Sequence, residues 1–280
     1  MIQLEPFCFC SNNVPGHSLT HALDLAQICG FHHIELASIE GISEQIQIDR
    51  ISPGYAAQIL SALERRGLTC HAVSAHCDMT NPEQFDRLLK KIPFAAAIGA
   101  KLINTRCGPQ YRYSIFLDNV NKAADLADSC GISLHLESYG DIVNTANDST
   151  SVFADINRNN VKFTYDAGNI FRYAHGKVSI ESDLTDACMI PAYLHMKDTS
   201  LRDGWIYNDA IGYGQLHIPA ILSALEVHAP KIGCSLEIPL SFRVRNDDLV
   251  FDFSVPEDTV IIDHVEKSVS FLQGYAEFIL

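Results

Sequence analysis

Short runs in which apolar and polar residues alternate recur along the chain. Each is followed by a turn-rich break and then by a longer stretch of helical spacing. Alternation with a period of two marks a half-buried strand, and apolar residues three and four apart mark a helix. In "LHLESY", Leu134 and Leu136 alternate with His135 and Glu137, and Gly140, Asp141 and Asn144 follow. The same reading gives strands at 2–10, 31–37, 68–76, 100–106, 161–166, 189–198 and 232–239. Helices are expected between them. Ser18 reads as the cap of the first, which ends at Gly30; Ser52-Pro53 and Asn81-Pro82 open the second and third. The third runs through to Gly99, and further helices are expected at about 114–130, from Asp148 or Ser149 to Arg158, at 216–228 and at 257–278. Residues 170–189 read as helical in parts, and 38–51, 199–214 and 241–256 as irregular loops. Strict alternation of strand and helix argues for a parallel sheet.

The polar residues at the strand ends have a period of their own. His76, Arg106, Glu137, Asp166 and His195 follow one another at steps of 30, 31, 29 and 29 residues, and Glu237 comes 42 after His195. A closed (β/α)8 barrel of roughly 250 residues spends about 31 on each strand-helix unit, and its active sites lie at the C-terminal strand ends. The expectation is an α/β fold, a single-domain TIM barrel spanning 1–280.

Composition narrows the function. At 280 residues and 47% hydrophobic the chain can bury one sizeable core. A formal charge of −14 disfavours nucleic acid as a partner. No run approaches 18 apolar residues, and the start, "MIQLEPFCFC", lacks a basic leader segment; a cytoplasmic protein without membrane contact is expected. Nine cysteines without regular spacing read as buried thiols, with Cys8 and Cys10 a weaker soft-metal alternative.

The chemistry then concentrates on strands five to eight. A lone strand-end carboxylate is ordinarily a helix cap or a solvated loop residue, but Glu137, Asp166, His195 and Glu237 share one register and converge on one side of a barrel mouth. Three carboxylates so close repel one another unless a cation lies between them. Carboxylate with imidazole suits one divalent ion, Mn²⁺, Mg²⁺, Co²⁺ or Zn²⁺. His76, Arg106, Asn169, Lys197 and Arg202 are candidates for substrate contact, with Glu35 a weaker one. The Gly212–Gly214 turn with Arg243 or Arg245 could take a phosphate.

These motifs, Glu137 in "LHLESYG", Asp166 in "YDAGN", His195 in "HMKDT" and Glu237 in "SLEIP", with "GYG" before helix seven, resemble the xylose isomerase-like TIM-barrel superfamily of sugar phosphate isomerases and epimerases. The resemblance covers the whole chain. It implies one divalent ion held by those four residues, with Glu137 and Glu237 as acid and base. The implied reaction on a small sugar or sugar phosphate is proton abstraction beside a carbonyl, through a metal-stabilised enediolate. An inosose or keto-polyol dehydratase with the same site, and a non-catalytic polyol-binding barrel, are the alternatives. The sequence departs from many epimerases of the group at Asn169, where they carry His; Asn can donate a hydrogen bond but cannot carry a proton at neutral pH. A homo-oligomer is a further expectation, with the long loops at 199–214 and 241–256 covering the mouth or meeting another subunit.

Overall fold

Eight parallel strands close on themselves. In order around the barrel they are β1 (Ile2–Cys10), β2 (His33–Ala37), β3 (Thr69–Ser74), β4 (Leu102–Thr105), β5 (Ser133–Glu137), β6 (Val161–Asp166), β7 (Tyr193–Met196) and β10 (Lys231–Leu236). Pairing of Phe9 with Leu236 and of Cys10 with Glu35 joins the last strand through the first to the second. The structure, a computed structural model, describes residues 1–186, 190–245 and 251–280. The first residue assigned to the seventh strand, at 189, part of the region 170–189 read as helical in parts, and part of the loop expected at 241–256 lie outside these.

Helices α1 (Leu19–Ile28), α2 (Pro53–Glu64), α3 (Pro82–Ala97), α4 (Tyr113–Ser129), α5 (Ala146–Ile156), α6 (Ala167–Tyr173), α7 (Ile180–Asp186), α8 (Ile218–His228) and α9 (Asp258–Leu272) surround the strands. Ser18, Ser52 and Asn81 cap their helices as expected, each side chain accepting from the amide three residues on. The fifth helix starts earlier than expected. Thr145 is its cap and accepts from the Asp148 amide, while Asp148 lies inside the first turn.

Two corrections concern the tail and the long loops. The last helix stops at Leu272, and the chain returns as β13 (Ala276–Glu277), parallel to the start of β1. Among the described residues, the loops after β7 and β10 are not irregular throughout. They form an antiparallel sheet of β8 (Asp198–Arg202), β9 (Trp205–Asp209), β11 (Phe242–Arg245) and β12 (Phe251–Phe253). β8 and β9 turn through Asp203-Gly204, both at positive φ, a two-residue hairpin that an Asp-Gly pair favours. β11 then pairs with β9 across a long sequence gap, which no local pattern reveals.

The barrel strands have two unlike faces. Ile34, Leu36, Ile103, Leu134, Leu136, Phe163, Leu194 and Leu236 are buried in the main core, with Phe116, Val120 and Ala123 of α4 and Leu222 and Leu225 of α8. Inside the barrel, Ala72, Leu102 and Tyr193 make a small apolar cluster of their own. Above them the lumen is polar. The β2–β3 register shifts between Ile34 and Glu35, which pair with Cys70 and Ala72, and the intervening His71 stacks 5.9 Å from the Tyr193 ring.

Candidate metal centre at the barrel mouth

Glu137, Asp166 and His195 end or nearly end β5, β6 and β7, and Glu237 follows β10 by one residue. Parallel pairing sets Asp166 beside His195, and closure of the barrel brings the four side chains together at one end. One potential ligand atom from each lies within 4.8 Å of all the others, and all four residues are buried.

The hydrogen bonds around the cluster aim these atoms inward. Asn12 Nδ2 donates to Glu237 Oε1 at 2.7 Å. Asn169 Nδ2 donates to Glu137 Oε1 at 2.8 Å, and His76 Nε2 lies 2.7 Å from Glu137 Oε2. Asp166 caps α6 by accepting from the Asn169 amide, and its other oxygen takes Lys197 Nζ at 2.6 Å. Gly168 makes room for that lysine: a Cβ there would come within 2.7 Å of the Lys197 stem.

Charge follows from this crowding. Burial raises Glu137, but His195 and His76 outweigh it and hold the carboxyl well below its usual range. Burial likewise opposes Glu237, which Lys197 and His195 pull down. Asp166 moves the other way: burial, helped by Glu237 and Glu137, outweighs Lys197 and lifts it. Burial works against a charged His195, yet Glu137, Glu35 and Glu237 together push it well above its ordinary value. The cluster therefore draws positive charge to itself from neighbouring side chains.

The donor set fits a divalent cation. His195 Nδ1 lies 3.2 Å from Glu137 Oε1 and 3.0 Å from Glu237 Oε2. Even so, Nδ1 and that Glu237 oxygen are buried without a well-directed hydrogen bond. A nitrogen aimed between carboxylate oxygens, rather than at one, is placed as a metal ligand is, and three carboxylates with one imidazole suit a borderline or hard ion.

The cleft above the cluster is lined by Asn12, His76, Asn169 and Lys197 on its polar side and by Ile39, Ile42, Ile206, Pro239 and Val244 on the other. Ile206 and Val244 come from the antiparallel sheet, so that sheet covers the mouth. His76, Asn169 and Lys197 thus sit where the sequence put them. Arg106 and Arg202 do not line the cleft. Arg106 lies over the Tyr139 ring, 3.7 Å from Asp78, and Arg202 is exposed and held by Asp209 at 2.7 Å. Arg106 follows the end of β4, and Arg202 ends β8 of the antiparallel sheet. Glu35 is also displaced from its expected place at the mouth; it lies inside the barrel against the far nitrogen of His195, 3.2 Å from each of its oxygens. Asn12 was missed, although it follows the end of β1 as His76 follows β3.

The glycine turn takes an anion, but an internal one. The amides of Gly212, Gly214 and Leu216 donate to the buried Asp198 carboxylate at 2.9, 2.9 and 3.1 Å. A Cβ on Gly214 would lie 2.1 Å from that carboxylate. A phosphate at this loop would meet negative charge where donors were expected. Cys8 and Cys10 are both fully buried, burial raises both thiols, and neither belongs to a cluster of three or more potential metal ligands among the described residues. Among the described residues no helix is long and apolar enough to cross a membrane.

Comparison with known proteins agrees with this architecture. No curated protein matches the chain in sequence. D-allulose 3-epimerase from Methylomonas sp., solved in complex with D-allulose, aligns with a TM-score of 0.71 at 17% identity, over 98% of each chain. A xylose isomerase-like TIM barrel protein from Mycobacterium smegmatis, solved with magnesium, aligns at 0.72 and 17%, over 96% of this chain and 97% of that one. The IOLI protein with a zinc atom aligns at 0.72 and 16%, over 96% and 99%. Identities this low speak to the fold alone. The family model described as a xylose isomerase-like TIM barrel matches residues 23–249. With that match, the closed eight-stranded barrel and the strand-end cluster explained together, the chain belongs to the xylose isomerase-like TIM barrel family.

Proposed function

We propose that this protein is a divalent-metal-dependent isomerase or epimerase acting on a small, unphosphorylated sugar. The observation that carries the reading is the convergence of Glu137, Asp166, His195 and Glu237, with His195 Nδ1 set among carboxylate oxygens and without a well-directed hydrogen bond. Those four residues would hold the ion, and Mn²⁺, Mg²⁺, Co²⁺ and Zn²⁺ all suit them. When bound, the ion would supply Lewis acidity to a carbonyl and the hydroxyl beside it, making the neighbouring C–H more acidic.

The chain's own groups then handle the proton. Glu137 and Glu237 reach the cluster from β5 and from the end of β10, with the ends of β6 and β7 between them. One takes the proton from carbon and the other returns it, to the same carbon for epimerisation or to the adjacent carbon for isomerisation. His76, bonded to Glu137, is placed to relay the proton outward. Asn169 holds the other oxygen of Glu137, a fixed donor in place of a second proton carrier. Lys197 balances charge between Asp166 and Glu237. The apolar cover from Ile206 and Val244 keeps water from the reacting carbon. The Asp198-filled glycine turn supports a substrate without phosphate, and the free-sugar ligand of the Methylomonas epimerase agrees with that class. A reducing, cytoplasmic setting suits the eight unpaired cysteines among the described residues.

The test is metal content followed by isotope exchange. After loading with Mn²⁺ and dialysis, the wild type should retain about one ion per chain, and Glu137→Ala should lose it. Free ketoses and inososes, with their phosphates as controls, are then incubated in deuterated water. Deuterium should enter beside the carbonyl of a free ketose. Activity should fall about 10²–10⁴-fold in Glu137→Ala, the range for a lost acid-base group. Retention of no ion by the wild type, across all four metals, would sink the mechanism. Loss of water from an inosose would reassign the site to a dehydratase.

A further inference from the structure

We propose that Glu35 is a positioning residue: it fixes the tautomer of His195, so that Nδ1 is the metal ligand, and thereby raises the affinity of the cluster for its ion. This rests on the metal reading above and adds a residue that the strand-end set does not contain.

Glu35 is fully buried on β2. The imidazole ring of His195 separates it from the cluster, so it touches neither the cleft nor the ligand atoms of the other three residues. Its two oxygens are each 3.2 Å from His195 Nε2. Two further donors complete its surroundings. Asn104 Nδ2 donates to Oε1 at 2.8 Å, and the Ser235 hydroxyl donates to Oε2.

With Glu35 acting as a carboxylate, the groups around it take one consistent set of proton directions. The Thr164 hydroxyl donates to Asn104 Oδ1 at 2.6 Å, which turns the Asn104 amide nitrogen towards Glu35. Ser235 gives its own proton to Glu35, so the Tyr193 hydroxyl, 2.7 Å away, donates to Ser235. Asn104 Nδ2 also lies 3.3 Å from His195 Nε2. With both nitrogens directed at the same carboxylate, that approach is between two donors and forms no bond. Glu35 is left as an acceptor only, so Nε2 carries its hydrogen. The lone pair available to a metal is then on Nδ1, the nitrogen that faces Glu137 and Glu237. A carboxylate behind a ligating imidazole also makes the ring a better donor, and loss of such outer partners ordinarily weakens metal binding 10–100-fold.

The experiment measures metal affinity and ring tautomer, neither of which needs a known substrate. Zn²⁺ dissociation constants are obtained by chelator competition for the wild type, Glu35→Gln and Glu35→Leu. Glu35→Leu should bind about 10–100-fold more weakly, while Glu35→Gln, which keeps an acceptor oxygen, should recover most of the loss. Histidine side-chain ¹⁵N spectra of the zinc-loaded wild type should show His195 protonated on Nε2 and metallated on Nδ1, a readout that does not depend on any variant folding. Metallation at Nε2, or unchanged affinity in Glu35→Leu, would overturn the assignment of Glu35 while leaving the metal site standing. A wild type that binds no ion would overturn both.

Discussion

The two faces of the barrel strands obey different rules. The outward face is Leu, Ile and Phe packed on helices, and every one of those side chains answers the same demand, removal from water. The inward face of the same strands carries Glu35, Asn104, Glu137, Thr164, Asp166, His195 and Ser235, all buried. These polar groups are tolerated because nearly every one has a partner, and the chief exceptions sit where an ion would complete the set. One face stores stability and the other spends some of it on a site. A polar lumen of this kind is costly to build and easily broken by removal of one member.

That division can be tested by perturbing each face. The largest effect belongs to the outer one. Leu136→Ala removes a fully buried side chain from the main core and should cost about 2–5 kcal/mol, read as a lower urea midpoint. The folded variant should retain its ion; loss of the ion would mean that the faces are not independent.

The next effect comes from the barrel floor. Burial lowers His71 to about 4, aided by His33 and Lys101 against Glu35. The unfolded ring takes a proton near 6.5, which the folded ring refuses until about 4. The stability contributed by the neutral ring is therefore complete above 6.5 and is lost as the pH falls from there towards 4. The slope should approach, and with partial exposure fall short of, about 1.4 kcal/mol per pH unit. Urea midpoints at pH 7 and pH 5 should converge in His71→Gln relative to the wild type. An unchanged slope would place the acid sensitivity elsewhere. The smallest effect should come from Arg202→Ala on the outer sheet. Its pair with Asp209, exposed on the arginine side, predicts a change within about 0.5 kcal/mol and intact metal binding. A larger loss would make that sheet part of the stability frame.

The candidate site was legible to the extent that it follows strand parity. Glu137, Asp166, His195, Glu237, His76 and Lys197 each occupy an inward position at a strand end, and period and parity alone bring them to one mouth. Arg106 reads as a strand end and Arg202 as part of the loop beyond the seventh strand; both lie where the chain has left the barrel, so parity does not govern their direction. Glu35 obeys parity, but lies deeper along the barrel than a linear reading can tell. Asp198 shows the same limit. In the sequence it reads only as the last residue of the seventh strand, yet it fills the amide turn in which a phosphate was considered. The antiparallel sheet was half legible: Asp203-Gly204 carries a hairpin signal, whereas the β9–β11 pairing joins distant segments.

The sequence by itself determined the alternation of strand and helix, the closure into eight units, the helix caps and the four strand-end ligand types. These are local choices, set by periodicity and by hydrogen bonds spanning three or four residues. The tertiary structure alone decided which nitrogen of His195 faces the carboxylates, which carboxylate stands behind it, what satisfies the glycine turn and what covers the mouth. Each of those depends on groups from strands distant in sequence meeting inside a closed barrel. There, a buried donor or acceptor is set by whichever partner the fold brings within reach.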